Sequence, residues 1–277
     1  MRRYFHLLAV IAVLLTAAGC SQKKETLKVM SYNIRLGIAD DGDNSWDFRK
    51  PATIEMLETL NPDIFGVQEA YNYQLSYITD NCPQYSCFGV GRDDGSDEGE
   101  HMSIFYDNTK FECLEWGNYW LSETPEVPSF GWDAACRRTA TWALLKNKQT
   151  GSEFFFVNTH LDHIGVQARI NGLALVVDKI ADMNPNGNPM ILTGDFNVEP
   201  DDICLVDLNT KMSSARATAE VSDTKPSFNG WGEASETIDY IYYSGFSCCK
   251  TFRVVDESFA DKPYISDHYP VIAEIEF

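Results

Sequence analysis

A polar pair follows an apolar run of strand length in the segment Met190–Pro200. Asp195 and Asn197 come directly after this run and are separated by one residue. Because residues i and i+2 of an extended chain point to the same side, the carboxylate and the carboxamide are expected to leave a buried strand together. Such a carboxylate can position a water and take its proton, and the carboxamide can hold an oxygen. The simpler alternative is a strand followed by a turn that the Asp195 side chain closes.

Similar polar side chains at other strand ends favour the chemical interpretation. They stand at the ends of strand-like runs that are spread over the chain: Asn33, Glu69, His160, Asp162, Asp239, Asp267 and His268. Carboxylates with amides and histidines suit Mg²⁺ or Mn²⁺ better than Zn²⁺, because Mg²⁺ prefers oxygen ligands and keeps several waters. The sequence has no Walker loop, no HExxH and no GxSxG motif, so the chemistries of those motifs have no support.

These side chains need strands that end side by side, and the chain alternates strand-like and helical segments. Helices are predicted over 48–60, 71–81 and 166–183, and a proline stands two residues after the end of each. The order of strand, helix and strand predicts an α/β fold. Because no internal repeat or linker interrupts the pattern, a single domain is predicted from about residue 26 onward.

The composition is that of a folded and strongly acidic protein. The 277 residues are 44% hydrophobic and 13% aromatic, which is enough to bury a large core. The chain has 22 Lys and Arg against 41 Asp and Glu, a formal net charge of −19. Because a long nucleic acid is held through its phosphates by basic residues, tight non-specific binding to duplex DNA is disfavoured, although a local basic groove is not excluded.

Residues 1–19 predict a lipoprotein signal peptide. A basic start precedes an apolar stretch that is too short for a membrane-spanning helix and ends in small residues. The word Thr16–Cys20 resembles a bacterial lipobox, which would make Cys20 the lipidated first residue and residues 20–26 a short tether. The expected location is then the cell envelope, anchored by lipid to the outer membrane and facing the periplasm or the outside. The alternative is an ordinary secretory signal that is cut nearby.

Seven further cysteines follow Cys20, and none of them has the spacing of a metal site. Outside the cytoplasm a disulfide is permitted, and the close pair Cys82 and Cys87 is the first candidate. Isolated buried thiols are the alternative.

Six words of the sequence, in this order, resemble the endonuclease/exonuclease/phosphatase superfamily: SYNIRLG, DIFGVQEA, NTHLDHIG, ILTGDFNVEP, TIDYIYY and SDHYPV. This superfamily includes DNase I-like nucleases, apurinic endonucleases, nocturnin-type deadenylases, inositol polyphosphate 5-phosphatases and neutral sphingomyelinases. The resemblance covers about residues 27–277. It implies a DNase I-like α/β fold, a four-layer α/β/β/α sandwich of two mixed β-sheets flanked by helices.

The resemblance implies a metal site and a site for the attacking water. Glu69 would bind the catalytic metal, Mg²⁺ or Mn²⁺, with Asn33 and Asp267 nearby. Asp195 would orient or deprotonate the water, and Asn197 would hold the phosphate or the nucleophile. The implied chemistry is in-line phosphoryl transfer, in which positioning and charge stabilisation supply most of the catalysis.

The resemblance also implies roles for the groups around the phosphate. His268, oriented by Asp239, would meet the charge that develops on a phosphoryl oxygen, and His160 would be a second phosphate contact. Arg138 resembles an arginine placed before the same strand in related members and would bind phosphate, with a surface salt bridge as the alternative. Two acids are expected at the substrate rim: Glu100 and Asp162.

The sequence narrows the substrate only in part. Apurinic endonucleases carry an acid two residues after the Asn33 position, where this chain has Arg35, and the signature words of the 5-phosphatases are absent. The first hypothesis is a monomeric, metal-dependent phosphoesterase for a small phosphorylated molecule, a nucleotide or a short oligonucleotide. A secreted nuclease on DNA or RNA is second. A non-catalytic surface lipoprotein that only binds is third, because Glu69 and the Asp-x-Asn pair are both kept.

Overall fold

The computed structural model describes residues 25–277, which form two β-sheets packed face to face between helices. Cys20 and the whole predicted signal peptide lie outside the described residues, so the lipidation of this cysteine stays a prediction. Within residues 25–277, none of the helices combines the length and the apolar character needed to cross a bilayer.

Strands and helices alternate along this part of the chain. The strands are β1 (Thr26–Asn33), β2 (Ile64–Gln68), β3 (Tyr85–Phe88), β4 (Ile104–Asp107), β5 (Phe111–Trp120), β6 (Thr139–Asn147), β7 (Glu153–His160), β8 (Met190–Asp195), β9 (Ser213–Ser214), β10 (Val221–Ser222), β11 (Asp239–Ser244), β12 (Cys248–Val254) and β13 (Val271–Glu276). The α-helices are α1 (Trp46–Leu60), α2 (Asn72–Asn81), α3 (Val166–Met183), α4 (Leu205–Lys211) and α5 (Ala215–Thr218). Short 3₁₀ turns lie at Gly42–Asn44 and Gly230–Gly232.

Both sheets are mixed. One has the strand order β10-β12-β13-β1-β2-β4-β3 and the other has the order β5-β6-β7-β8-β11-β9. β1 runs parallel to β2 and β7 runs parallel to β8, while β13 and β11 flank these pairs in the antiparallel direction. The α/β/β/α sandwich that the resemblance implied is confirmed.

Three apolar clusters separate the four layers. α1 and α2 cover the outer face of the first sheet, where Met56 and Ile78 pack against Phe65. α3 and α4 cover the outer face of the second sheet, where Val176 packs against Leu192. The third cluster lies between the sheets and is drawn from alternate residues of the central strands: Leu27, Val29, Ile64, Phe154, Phe156, Ile191, Ile241, Val271, Ala273 and Ile275. Alternation along each strand therefore decides which side chains face the other sheet.

The predicted helix boundaries agree closely with the structure where local signals are strong. The helix predicted over 166–183 is present with those ends. α1 begins at Trp46, two residues before the predicted start, and ends where Asn61 adopts a left-handed conformation with φ 45°. The neighbouring Pro62 cannot continue a helix, because it lacks the N–H donor.

The cysteines that the structure describes are isolated thiols and not a disulfide pair. All seven cysteines of residues 25–277 are free, including Cys82 and Cys87, so the disulfide proposed for this pair is wrong. Cys82 caps the end of α2 with its backbone N–H and has a buried side chain, whereas Cys87 lies in β3.

Candidate active site

The inter-sheet cluster gives way to polar side chains at one end of the sandwich. In the parallel pair β7 and β8, His160 is in register with Asp195, and in the antiparallel pair β8 and β11, Asp239 is in register with the same Asp195. In the first sheet, Asn33 is in register with Gln68, the residue before Glu69. Strand ends that are far apart in the sequence therefore meet at one end of the sandwich, as expected for these residues.

Asn33 connects the two sheets at this edge. Its Nδ2 donates to Glu69 Oε1 at 3.1 Å and to Asp195 Oδ2 at 3.0 Å, while its Oδ1 accepts the backbone N–H of Arg35. Glu69 is held in turn by the N–H of Leu36, which donates to Oε2 at 3.0 Å. Glu69 has a φ of 62°, a backbone conformation that residues other than Gly rarely adopt and that often marks a functional site.

The acidic groups here fit a hard divalent cation. Ligand atoms of Glu69, His160 and Asp195 all lie within 4.8 Å of one another. Burial and the like charge of Glu69 raise the pKa of Asp267, which a cation between the two carboxylates would reverse. Asp267 Oδ2 lies 3.4 Å from the Nη1 of Arg35. Glu69, with Asp267 nearby, is therefore the group that would hold Mg²⁺ or Mn²⁺, whereas Asn33 turns its N–H rather than its oxygen toward Glu69.

Asp195 and Asn197 form the turn that the simpler interpretation expected, and both also enter the site. Asp195 Oδ1 accepts the backbone N–H of Asn197 at 2.9 Å, and Asn197 adopts a φ of 53°. The Nδ2 of Asn197 donates to His160 Nε2 at 3.0 Å and to the carbonyl of Leu161 at 3.0 Å. Burial, assisted by the positive charge of Arg138, lowers the pKa of His160 well below its usual value. His160 is therefore neutral, with an Nε2 that accepts and an Nδ1 that carries the proton.

His268 is the cationic counterpart of His160. Its Nδ1 lies 2.8 Å from Asp239 Oδ2, and its Nε2 lies 3.7 Å from Asp195 Oδ2. Burial opposes its charge, but the carboxylates of Asp239 and Asp195 outweigh this effect and raise the pKa of His268 to about 10. Burial also raises the pKa of Asp195, against the attraction of His268. An imidazolium with one N–H fixed on Asp239 can present the other N–H to a developing negative charge.

A cleft of about 380 Å³ opens over these residues. Its wall carries three arginines, Arg35, Arg92 and Arg138, with Glu100 among them. Glu100 is buried and is bound by both Nη atoms of Arg92, at 2.8 and 2.7 Å, and its Oε2 lies 4.0 Å from His160 Nδ1. Glu100 thus lines the cleft, and its contact with the substrate stays a prediction.

Asp162 is not at the substrate rim, and its assignment to substrate binding is wrong. Its side chain is fully buried beside that of Arg138. Oδ1 accepts the N–H groups of Ile164 and Gly165 at 3.0 and 2.7 Å, and Oδ2 accepts those of Ala135 and Cys136, each at 3.1 Å. The Nε of Arg138 lies 3.4 Å from the same Oδ2. Asp162 therefore positions Arg138, which lines the cleft, and fastens the loop before β6 to the end of β7.

Two arginines of the cleft are not among the site candidates that the sequence predicts. Arg92 lies in a polar loop whose sequence gives no sign that its side chain turns inward. Arg35 was noted only as a departure from apurinic endonucleases, yet it bridges Asp41 and Asp267, at 3.0 and 3.4 Å. Arg35 thus places a positive charge beside Asp267, at the sequence position where apurinic endonucleases carry an acid.

Buried carboxylates that fit a divalent cation, a charged histidine and a wall of arginines together define a hydrolase of phosphate esters. A family model described as "Endonuclease/Exonuclease/phosphatase family" matches residues 30–268, and the chain belongs to this family. Members act on phosphorylated small molecules or on nucleic acids and are typically metal-dependent.

Solved structures and curated sequences give the particular relatives. A family protein from Bacteroides thetaiotaomicron is 37% identical with a TM-score of 0.86, over 92% of this chain and 99% of its own. A mannosyl-6-phosphatase from the same organism is 36% identical with a TM-score of 0.86, over 91% of this chain and all of its own. Nocturnin of Xenopus laevis is 24% identical over 83% of this chain, which spans only 65% of that relative.

Proposed function

We propose that this protein is a Mg²⁺- or Mn²⁺-dependent phosphatase that removes the phosphate from a small hydroxylated molecule such as a sugar phosphate. The cleft is the observation that carries the proposal. Its volume of about 380 Å³ is near the lower end for small-molecule sites and suits one phosphate with one small leaving group. The similarity to a mannosyl-6-phosphatase supports the same substrate class.

The residues have distinct roles in this reaction. Asp195 takes a proton from a water as the water oxygen attacks phosphorus. The bond from phosphorus to the leaving oxygen breaks on the opposite side, and this oxygen keeps the bonding electrons and takes a proton from solvent to become the free hydroxyl. His268 donates a hydrogen bond to a non-bridging phosphate oxygen, and Arg138 contributes a second positive charge. The divalent ion, when bound beside Glu69 and Asp267, supplies further charge neutralisation. Asn197 holds Asp195 in place through its backbone N–H, and neutral His160 is a second contact for the phosphate.

A nuclease is the second candidate, because the relatives include a Saccharomyces cerevisiae protein described as a probable RNA exonuclease. The formal net charge of −19 argues against a long polyanion, but three arginines in the cleft leave room for a short one. The same assay separates the two candidates. Sugar phosphates, nucleotides, short oligonucleotides and phospholipid head groups are incubated with protein that lacks residues 1–20, with and without Mg²⁺.

The expected result is Mg²⁺-dependent release of inorganic phosphate from sugar phosphates, with oligonucleotides cut more slowly. Faster cleavage of oligonucleotides than of every monoester would favour the nuclease instead. No turnover of any phosphate ester, by protein that binds Mg²⁺, would favour a module that only binds.

We further propose that the protein is anchored in the cell envelope by a lipid on Cys20. The basic start, the apolar stretch and the Gly19–Cys20 junction support this location. Glu25, the first described residue, precedes β1, whose other end carries Asn33. Eight strand residues separate these ends by about 23 Å, so the cleft would face away from the anchored end.

A further inference from the structure

A second polar layer lies directly beneath the active-site side chains, between the two sheets. It consists of four residues that are not exposed at all, and we call it the inter-sheet polar layer: Ser31, Gln68, Asn158 and Thr193. Below it, the space between the sheets is filled by the apolar cluster of Val29, Phe156 and Ile191. The layer is thus the last one before the cleft, and burying four polar side chains there needs a reason.

The members of this layer precede the active-site residues at strand spacing. Ser31, Asn158 and Thr193 each stand two residues before an active-site residue, and Gln68 stands directly before one. Because alternate residues of a strand share one face, Ser31, Asn158 and Thr193 each lie under the active-site neighbour on the same strand. The active-site residues above the layer are Asn33, His160, Asp195 and Glu69.

Hydrogen bonds within the layer cross from one sheet to the other. Gln68 Nε2 donates to Asn158 Oδ1 at 2.7 Å and to Ser31 Oγ at 3.2 Å. Thr193 Oγ1 donates to the same Asn158 Oδ1 at 3.1 Å. Asn158 therefore accepts hydrogen bonds from β2 in one sheet and from β8 in the other.

Asn158 also bonds the backbone of the opposite sheet. Its Nδ2 donates to the carbonyl oxygens of Val67 and Ser103, at 2.8 and 3.1 Å. Gly66 makes this approach possible, because a Cβ there would lie 2.3 Å from Asn158 Oδ1 and 2.5 Å from Thr193 Oγ1. The carboxamide thus ties β7, which ends in His160, to β2 two residues before Glu69.

We infer that the inter-sheet polar layer is a positioning device that holds the two halves of the active site at a fixed separation. The half on the first sheet carries Asn33 and Glu69, and the half on the second carries His160 and Asp195. An apolar contact is non-directional and permits sliding, whereas a set of directed hydrogen bonds specifies one relative placement. A displacement of about 1 Å between reacting groups can cost about 100-fold in rate. The kinetic test of this positioning role rests on the proposed phosphatase function.

Two variants remove hydrogen bonds from the layer to different extents. Asn158→Leu keeps the side-chain size but removes all four hydrogen bonds, and it is expected to lower kcat by about 100-fold. Thr193→Val is nearly isosteric and removes the hydroxyl alone, so it is the variant of choice if Asn158→Leu does not fold. Its expected loss in kcat is about 3- to 10-fold, with little change in KM, because positioning acts in the transition state.

Ile191→Val is the matched control. It lies on the same strand two residues below Thr193, faces the same inter-sheet space and is also fully buried. Its loss of one methylene should lower the melting temperature about as much as Thr193→Val does, with kcat unchanged. Equal effects on kcat from both substitutions, at equal melting temperature, would mean that the layer only stabilises the fold and would overturn the inference.

Crystal structures of the variants supply a readout that does not depend on the substrate. The hydrogen bond between Asn33 Nδ2 and Asp195 Oδ2, 3.0 Å long in the parent protein, crosses between the sheets and should lengthen or break in Asn158→Leu and Thr193→Val but not in Ile191→Val. If the parent protein hydrolyses no phosphate ester, the proposed function fails while this distance still decides the role of the layer. An unchanged distance in both layer variants would overturn the inference whatever the activity.

Discussion

Replacing Asp162 with asparagine tests how the loop before β6 is held against the strand end that carries His160. Burial alone would raise the pKa of Asp162, but the N–H groups of Gly165, Ile164, Ala135 and Cys136 outweigh it and lower the pKa to about 2. Asparagine keeps a single acceptor oxygen, so two of these donors would face its NH₂ group instead. Each buried donor that is left without a partner costs about 1–3 kcal/mol.

The negative charge of Asp162 makes a further contribution to the free energy of unfolding, and this contribution depends on pH. A pKa of about 2 against an ordinary value of 3.8 corresponds to at most about 2.4 kcal/mol, and solvent near the cleft reduces this to about 1–2 kcal/mol. Because the pKa is lower in the folded state, this contribution is fully present above about pH 4 and is lost as the pH falls to about 2. Asp162→Asn should therefore lower the free energy of unfolding by about 3 kcal/mol at neutral pH and by less in acid.

Urea denaturation over a pH series measures the effect, with Asp201→Asn as the control. Asp201 is an exposed acid on the loop after β8, so its substitution should change the unfolding free energy by no more than about 0.5 kcal/mol at any pH. A difference in unfolding free energy between Asp162→Asn and the parent protein that stays constant from about pH 7 to about pH 3 would contradict a contribution from the charge of Asp162. Equal stability of Asp162→Asn and Asp201→Asn would contradict the structural role of Asp162.

Further predictions concern the chemistry and the anchor. Asp195→Asn and His268→Ala should each lower kcat by at least about 100-fold with a smaller change in KM, and the double variant should be little worse than the poorer single one, because both act on one transition state. Normal kcat with a lowered melting temperature would leave them only structural roles. Activity should disappear with EDTA and return with Mg²⁺ or Mn²⁺, and Glu69→Ala should show little turnover even at saturating Mg²⁺, which steady-state assays can check. Radiolabelled palmitate should enter the parent protein but not Cys20→Ser, and equal labelling of both would disprove lipidation at this residue.

Strong local signals made several elements readable from the sequence. The helix over 166–183 was predicted with its observed ends, because its apolar spacing is regular and Asn184–Pro185 stops it. Strand ends at Asn33 and Asp195 were predicted as well. The register that brings Asp195 beside both His160 and Asp239 is a property of the sheet, and the sequence indicated it only through the family resemblance.

The sequence by itself determined which residue types stand at the strand ends, and hence a phosphoester hydrolase of this family. Only the tertiary structure decided the direction in which each side chain points and what it meets. Asp162 shares a strand face with His160 in the sequence pattern, yet the chain turns after His160 and buries the Asp162 carboxylate among backbone N–H groups. Arg92 turns inward because Glu100 binds it across a loop. Such placements depend on long-range packing, which residue spacing along one segment does not encode.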